Sequence, residues 1–105
     1  MKKLCVLLLL TVSLFANAKE YTFSPKDVPA MKQLLGSGNL QPGDAVVLKD
    51  GTYHNLEEIH FTGKGVFGKP IVWRAENPGR AVVSGKLRLK IYGEYLQLED
   101  LLFYK

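Results

Sequence analysis

Apolar residues fall into three textures along this chain. They run almost without a break from Leu4 to Phe15, recur at helical spacing from Val28 to Leu35, and from Ala45 onward come in short runs separated by turn residues. The middle texture predicts one helix, because Val28, Met31, Leu34 and Leu35 share a face. Ser24 with Asp27 three residues on reads as its cap, but Pro29 suits a first turn, so the helix begins nearer Val28. Gly36-Ser37-Gly38 ends it.

The third texture predicts strands over Ala45 to Leu48, Leu56 to Phe61, Ile71 to Ala75, Ala81 to Ser84, Leu87 to Ile91, Tyr95 to Leu98 and Leu101 to Tyr104. The breaks are Lys49-Asp50-Gly51, Gly63-Lys64-Gly65, Glu76-Asn77-Pro78-Gly79, Gly85 and Gly93. Strand starts at Ala45, Ile71 and Tyr95 lie 26 and 24 residues apart, and the offset pair Leu56 and Ala81 lies 25 apart. A step of that size, holding two or three short strands, predicts a solenoid in which each turn of chain stacks on the one before.

Alternation within the strands predicts which side chains face in. Ile71-Val72-Trp73-Arg74-Ala75 turns Arg74 outward, Leu87-Arg88-Leu89-Lys90-Ile91 separates three aliphatic residues from two cations, and Tyr95-Leu96-Gln97-Leu98-Glu99 repeats the pattern. The expected core is Ile71, Trp73, Ala75, Leu87, Leu89, Ile91, Leu96 and Leu98. Neither face of Ala45 to Leu48 or of Ala81 to Ser84 is clearly polar, so their phase stays open.

The first texture is a leader. Lys2-Lys3, the apolar run and Ala16-Asn17-Ala18 follow the order of a secretory signal peptide cut after Ala18, which divides the chain into a leader (1–18), a segment with the capping helix (19–40) and a partial solenoid of two to three rungs (41–105). Eighty-seven residues remain, enough for one small domain, and loss of the two lysines lowers the formal charge from +4 to +2. That charge favours no nucleic-acid partner, and no membrane association is expected once the leader is gone. Cys5, the one cysteine, goes with the leader, so neither a disulfide nor a lipid anchor is expected in an exported, periplasmic or extracellular product.

Most polar groups have ordinary explanations. His54 and His60 are six apart, no usual metal spacing, and His54 is expected in a turn. Glu57-Glu58 and Glu99-Asp100 are neighbours whose side chains point to opposite strand faces, and Asp44 and Asp50 flank a strand where aspartate bonds turn backbone. Gly63, Gly65 and Gly68 surround Lys64 and Lys69 but lack the Gly-Lys-Ser/Thr ending of a phosphate loop. Lys86, Arg88 and Lys90 differ. At two-residue spacing they form a cationic row, extended by Arg74 on a neighbouring rung, able to hold the carboxylates of an acidic polysaccharide, while the plain alternative is a solvated strand face. Tyr92 and Tyr95 stand close enough in sequence to stack on sugar rings, or simply to pack.

The string QPGDAVVLKDGTYHNLEEIHFTGKG, followed by GKPIVWRAENPGRAVVSGKLRLKIYGEYLQLEDLLF, resembles the opening of the chondroitinase-B-like polysaccharide lyases, the group that includes alginate lyases. The resemblance runs from Lys26 to Tyr104. Its PGD-strand-DGTY piece is shared with many parallel β-helices, whereas Pro70-Ile71, Arg74-Ala75-Glu76, Pro78-Gly79 and Gly93-Glu94-Tyr95-Leu96 are closer to the lyases. It implies an all-β chain, the first rungs of a right-handed parallel β-helix with a short N-terminal capping helix, and β-elimination on uronate-containing polysaccharide such as alginate or chondroitin and dermatan sulfate. It also implies calcium held by Asn and Glu, with a Lys base and an assisting Arg. Those residues belong to rungs beyond the matching part, so no catalytic, cofactor-binding or metal residue carries over.

Two functions follow as expectations. One is the N-terminal fragment of a secreted lyase, inactive alone; the other is a small secreted β-helix module that binds acidic glycan or a protein partner without catalysis. A solenoid needs about three repeats and a covered terminus. Residues 19–105 alone are therefore expected to be poorly soluble.

Overall fold

The computed structural model describes residues 18–104; the expected leader, with Cys5, lies outside the described residues except for Ala18. Nine short strands form three parallel sheets: β1 (Glu20–Phe23), β2 (Ala45–Leu48), β5 (Ile71–Ala75) and β8 (Leu96–Glu99) in one; β3 (Gly51–His54), β6 (Ala81–Ser84) and β9 (Leu102–Tyr104) in the second; β4 (Glu57–Lys64) and β7 (Leu87–Glu94) in the third. Each rung contributes one strand to each sheet, so β2-β3-β4 is a complete rung and β5-β6-β7 stacks on it. All pairings within these sheets are parallel, and the chain is a right-handed parallel β-helix.

The N-terminal segment closes one end. Asp27 accepts hydrogen bonds from the Ser24 amide (3.0 Å) and hydroxyl (2.9 Å), fixing a 3₁₀ turn over Pro25–Asp27. The helix α1 (Val28–Ser37) follows, with Pro29 in its first turn and Gly38 at φ 76° stopping it. Met31 and Leu35 are fully buried in the core, and the helix passes close to His60 of β4 at Gly36, where a Cβ would make only ordinary contact. The Lys32 ammonium donates to the Leu56 carbonyl at 2.9 Å, satisfying an acceptor just before β4. The helix thus covers the free edge of the β4–β7 sheet, as its apolar face predicts.

Side chains alternate along each strand and stack between rungs. Tyr21, Val46, Trp73 and Leu98 form one inward column, and Ile59 with Leu89 and Phe61 with Ile91 form two more. Ile71, Trp73 and Ala75 are buried as expected; Leu87, Leu89, Leu96 and Leu98 are half-buried. Ile91 departs from the expectation at 51% exposure, because β7 is the outer strand of its sheet and Phe61 covers Ile91 from one side only. The Trp73 indole N–H has no acceptor among the described residues; its ring meets Phe61 edge-on at 6.2 Å.

The structure also settles the two open phases. Ala81 and Val83 face in, whereas all four residues of β2 are buried. The outward side of β2 is covered because Arg74 of β5 reaches across it to Glu20 of β1, Nη2 to Oε2 at 2.7 Å, over Ala45 and Val47.

Three sequence expectations need correction. Glu20–Phe23 and Gly51–His54 are strands, so His54 is not in a turn; each is only four residues long, and β3 buries only Tyr53. Gly63 and Gly93 do not break strands but lie opposite each other inside β4 and β7. The step in the second and third sheets is not 25: Gly51 pairs with Ala81 and Glu57 with Leu87, both 30 residues on. The five-residue turn 76–80 replaces the two-residue turn 49–50, and this lengthens the rung. Asn77 ties these turns together by donating to Asp50 at 3.0 Å.

Candidate functional site

The polar face with the most chemistry is the outside of the β4–β7 sheet. Strand alternation turns Glu58 and His60 of β4 and Arg88, Lys90 and Tyr92 of β7 to that side, and the register sets Glu58 beside Arg88, His60 beside Lys90, and Thr62 beside Tyr92. Glu58 is the hub: Lys90 Nζ lies 3.0 Å and His60 Nε2 3.3 Å from its Oε1. The hydrogen bond from Lys90, then that from His60, holds the Glu58 carboxyl below the usual carboxylate range; the same Glu58 contact raises Lys90. The His60 and Tyr92 rings lie 5.9 Å apart, tilted by 50°.

Beside this cluster a cleft of about 740 Å³ is lined by Glu57, Glu58, Lys86, Arg88, Phe103 and Tyr104. Its floor is built by stacked turns. Asn55 at φ 51° lies against Gly85 at φ 92°, where any Cβ would meet the Asn55 side-chain oxygen, and Gly85 donates to the Tyr104 carbonyl at 3.1 Å.

The four cations singled out from sequence therefore separate. Lys86 and Arg88 share the cleft, exposed and without an ion pair among the described residues. Lys90 keeps the expected two-residue spacing on the same strand but is tied to Glu58. Arg74 does not extend the row: it belongs to the β1-β2-β5-β8 sheet and is held by Glu20. Glu58, His60 and Tyr92 were not legible as a group, because a 25-residue step never sets β4 beside β7; the 30-residue register does.

Among the described residues no three His, Cys, Asp or Glu side chains come together as a cation would require. The residues present do not fit the calcium centre that the resemblance implies.

Residues 30–105 match the Chondroitinase B family. The chain belongs to that family. Among solved structures, a mannuronic acid specific polysaccharide family 6 lyase from human gut microbiota is 94% identical, with TM-score 0.82 over 83% of this chain and 20% of that one. The PL6 family alginate lyase AlyGC is 28% identical (TM-score 0.64; 80% of this chain, 11% of that one), and a PL6 polysaccharide lyase from Pseudopedobacter saltans 26% (TM-score 0.62; 79% and 18%). No curated protein matches the chain. This chondroitinase B family chain spans one fifth or less of the length of each of these lyases. Among its described residues no helix is long and apolar enough to cross a membrane.

Proposed function

We propose that this chain is the leading part of a secreted lyase that cleaves mannuronate-containing alginate by β-elimination. The supporting observation is the 94% identity, across 83% of this chain, to a mannuronic acid specific lyase. In β-elimination the proton beside the uronate carboxylate leaves to a base, the bond to the glycosidic oxygen breaks, and that oxygen takes a proton, leaving an unsaturated uronate. The carboxylate charge must be offset for the proton to become acidic, and base and acid must flank the sugar. None of those roles is assigned to a residue of this chain. Its contribution is architectural: α1 closes the solenoid and two full rungs set the register on which further rungs stack.

The test is to express the complete reading frame to which this sequence belongs. It should be incubated with polymannuronate, polyguluronate and dermatan sulfate while the ultraviolet absorbance of the new double bond is followed. A rise with polymannuronate is expected; no rise with any of the three overturns the reading. The Lys2-Lys3, apolar run and Ala16-Asn17-Ala18 order supports export of the product, to the periplasm or the medium.

A second reading is glycan binding without catalysis, favoured by Arg88 and Lys86, which have no ion pair among the described residues, in the cleft beside Tyr104. Alginate retained on the protein at low salt, released by salt and never made unsaturated, would favour it over the lyase.

A further inference from the structure

Asp44 is 2% exposed, the only charged residue among the described residues to be buried, and its carboxylate has no cationic side chain beside it in this set. It sits in the Gln41-Pro42-Gly43-Asp44 corner and organises three stretches of chain. Its Oδ2 accepts the Gln41 amide at 2.8 Å, its backbone carbonyl accepts the Val72 amide of the next rung at 3.0 Å, and its Oδ1 accepts the backbone nitrogen of Lys19 at 3.0 Å. The Lys19 carbonyl in turn accepts the Ala45 amide at 2.9 Å, so Lys19 is fixed in register at the head of β1.

A buried carboxylate held by two neutral amides has no opposing charge beside it, so an ammonium placed on it gains more than it would in water. The atom on its Oδ1 is also the atom that leader removal would change. Hydrolysis of the Ala18–Lys19 bond adds one water, leaving a carboxylate on Ala18 and an amine on Lys19 that is protonated at neutral pH. The new ammonium would already stand at hydrogen-bond distance from the carboxylate, with Lys19 itself exposed, so its other two N–H groups are free to reach water.

We propose that Asp44 is the docking site for the α-ammonium of Lys19, created when a leader peptidase cuts after Ala18. Cutting turns an amide contact into a charge-assisted one at the head of a strand whose register is already set. One residue more or less would place the ammonium away from Oδ1, because the Lys19–Ala45 hydrogen bond fixes the register. This rests on the export reading above, and the experiment separates the two.

The protein is exported by a bacterium under its own leader, and its N-terminus is read by intact mass, which needs no folded sample; the expected start is Lys19. The α-amine of the native product is then labelled with a pyridinecarboxaldehyde at about pH 7. Labelling should be at least about tenfold slower than for the same product in denaturant, the change that one unit of pKa makes at fixed pH. Asp44→Asn should abolish the protection. A variant with one glycine inserted before Lys19 keeps Asp44 intact and should label at the denatured rate while its circular dichroism stays native, which guards against misreading an unfolded Asp44→Asn. An uncut chain overturns both export and docking. A start at any other residue, or native Lys19 labelling as fast as denatured, overturns the docking and leaves export standing.

Discussion

Gly93 lies directly opposite Gly63 in the β4–β7 ladder, at φ 140°, and a Cβ on Gly93 would overlap the Gly63 carbonyl oxygen. Both strands continue through this point because neither carries a side chain there. An L-residue at position 93 meets backbone that has no rotamer with which to yield, and a φ that favours glycine.

Gly93→Ala should therefore destabilise by about 3 kcal/mol or more, while Gly63→Ala should cost less, about 1–2 kcal/mol. At Gly63 the obstacle is the Cδ1 end of the Ile71 side chain, 2.9 Å from the added carbon, which can move. Denaturant midpoints of the two variants check the order; equal losses would sink the argument.

The Arg74–Glu20 pair acts as a strap across β2, and its value lies more in cover than in charge. Glu20 is 64% exposed, so Glu20→Gln should cost at most about 0.5 kcal/mol and the cost should fade in high salt. Arg74→Ala also strips the aliphatic stem from over Ala45 and Val47 and should cost about 1 kcal/mol more, independent of salt. Unfolding at low and high salt distinguishes the two effects.

The helix, the inward faces of β5 and β8, and the solenoid itself were legible because each rests on a local period: Val28, Met31 and Leu35 on one helical face, Ile71, Trp73 and Ala75 on one strand face. What sequence hid was registration between rungs. Leu56 and Ala81 give a tidy step, but a three-residue difference between two turns, added to the 27-residue step from Ala45 to Val72, sets Glu57 beside Leu87, and the Glu58–Lys90 pair depends on that register. Composition hid β3 for a different reason: a glycine-led strand of four residues with one inward side chain reads like a turn.

Tyr53 is that one inward residue, and its hydroxyl lies 2.8 Å from the Lys49 carbonyl and 3.1 Å from that of Phe23, joining the turn before β3 to the end of β1. Tyr53→Phe should cost about 1 kcal/mol by removing the hydroxyl's hydrogen bond, the Phe23 carbonyl keeping the Lys49 amide at 2.9 Å. Burial, followed by the charges of Asp27, Asp50 and Glu76, pushes the phenol from 10.0 up to about 12. The folded state thus binds this proton more tightly than the unfolded one. Its contribution is complete below pH 10.0 and is lost as pH rises towards about 12. Ultraviolet titration should show one tyrosine ionising late, absent in Tyr53→Phe.

The Glu58–Lys90 pair predicts the opposite limb. Glu58 titrates below its ordinary 4.5, so its contribution to stability is present above pH 4.5 and disappears as pH falls through the lower folded value. Lys90 titrates above its ordinary 10.5, so its contribution is present below pH 10.5 and disappears as pH rises through the higher folded value. Both changes come from one contact, and the largest cause on each side is the hydrogen bond between them. Lys90→Met should therefore move Glu58 back towards 4.5, leaving only the smaller pull of His60, and His60→Gln should move it less. Carboxyl carbon shifts followed by NMR against pH provide the measurement. The reverse order, with His60→Gln the larger change, would mean that the imidazolium and not the lysine is the principal partner of Glu58.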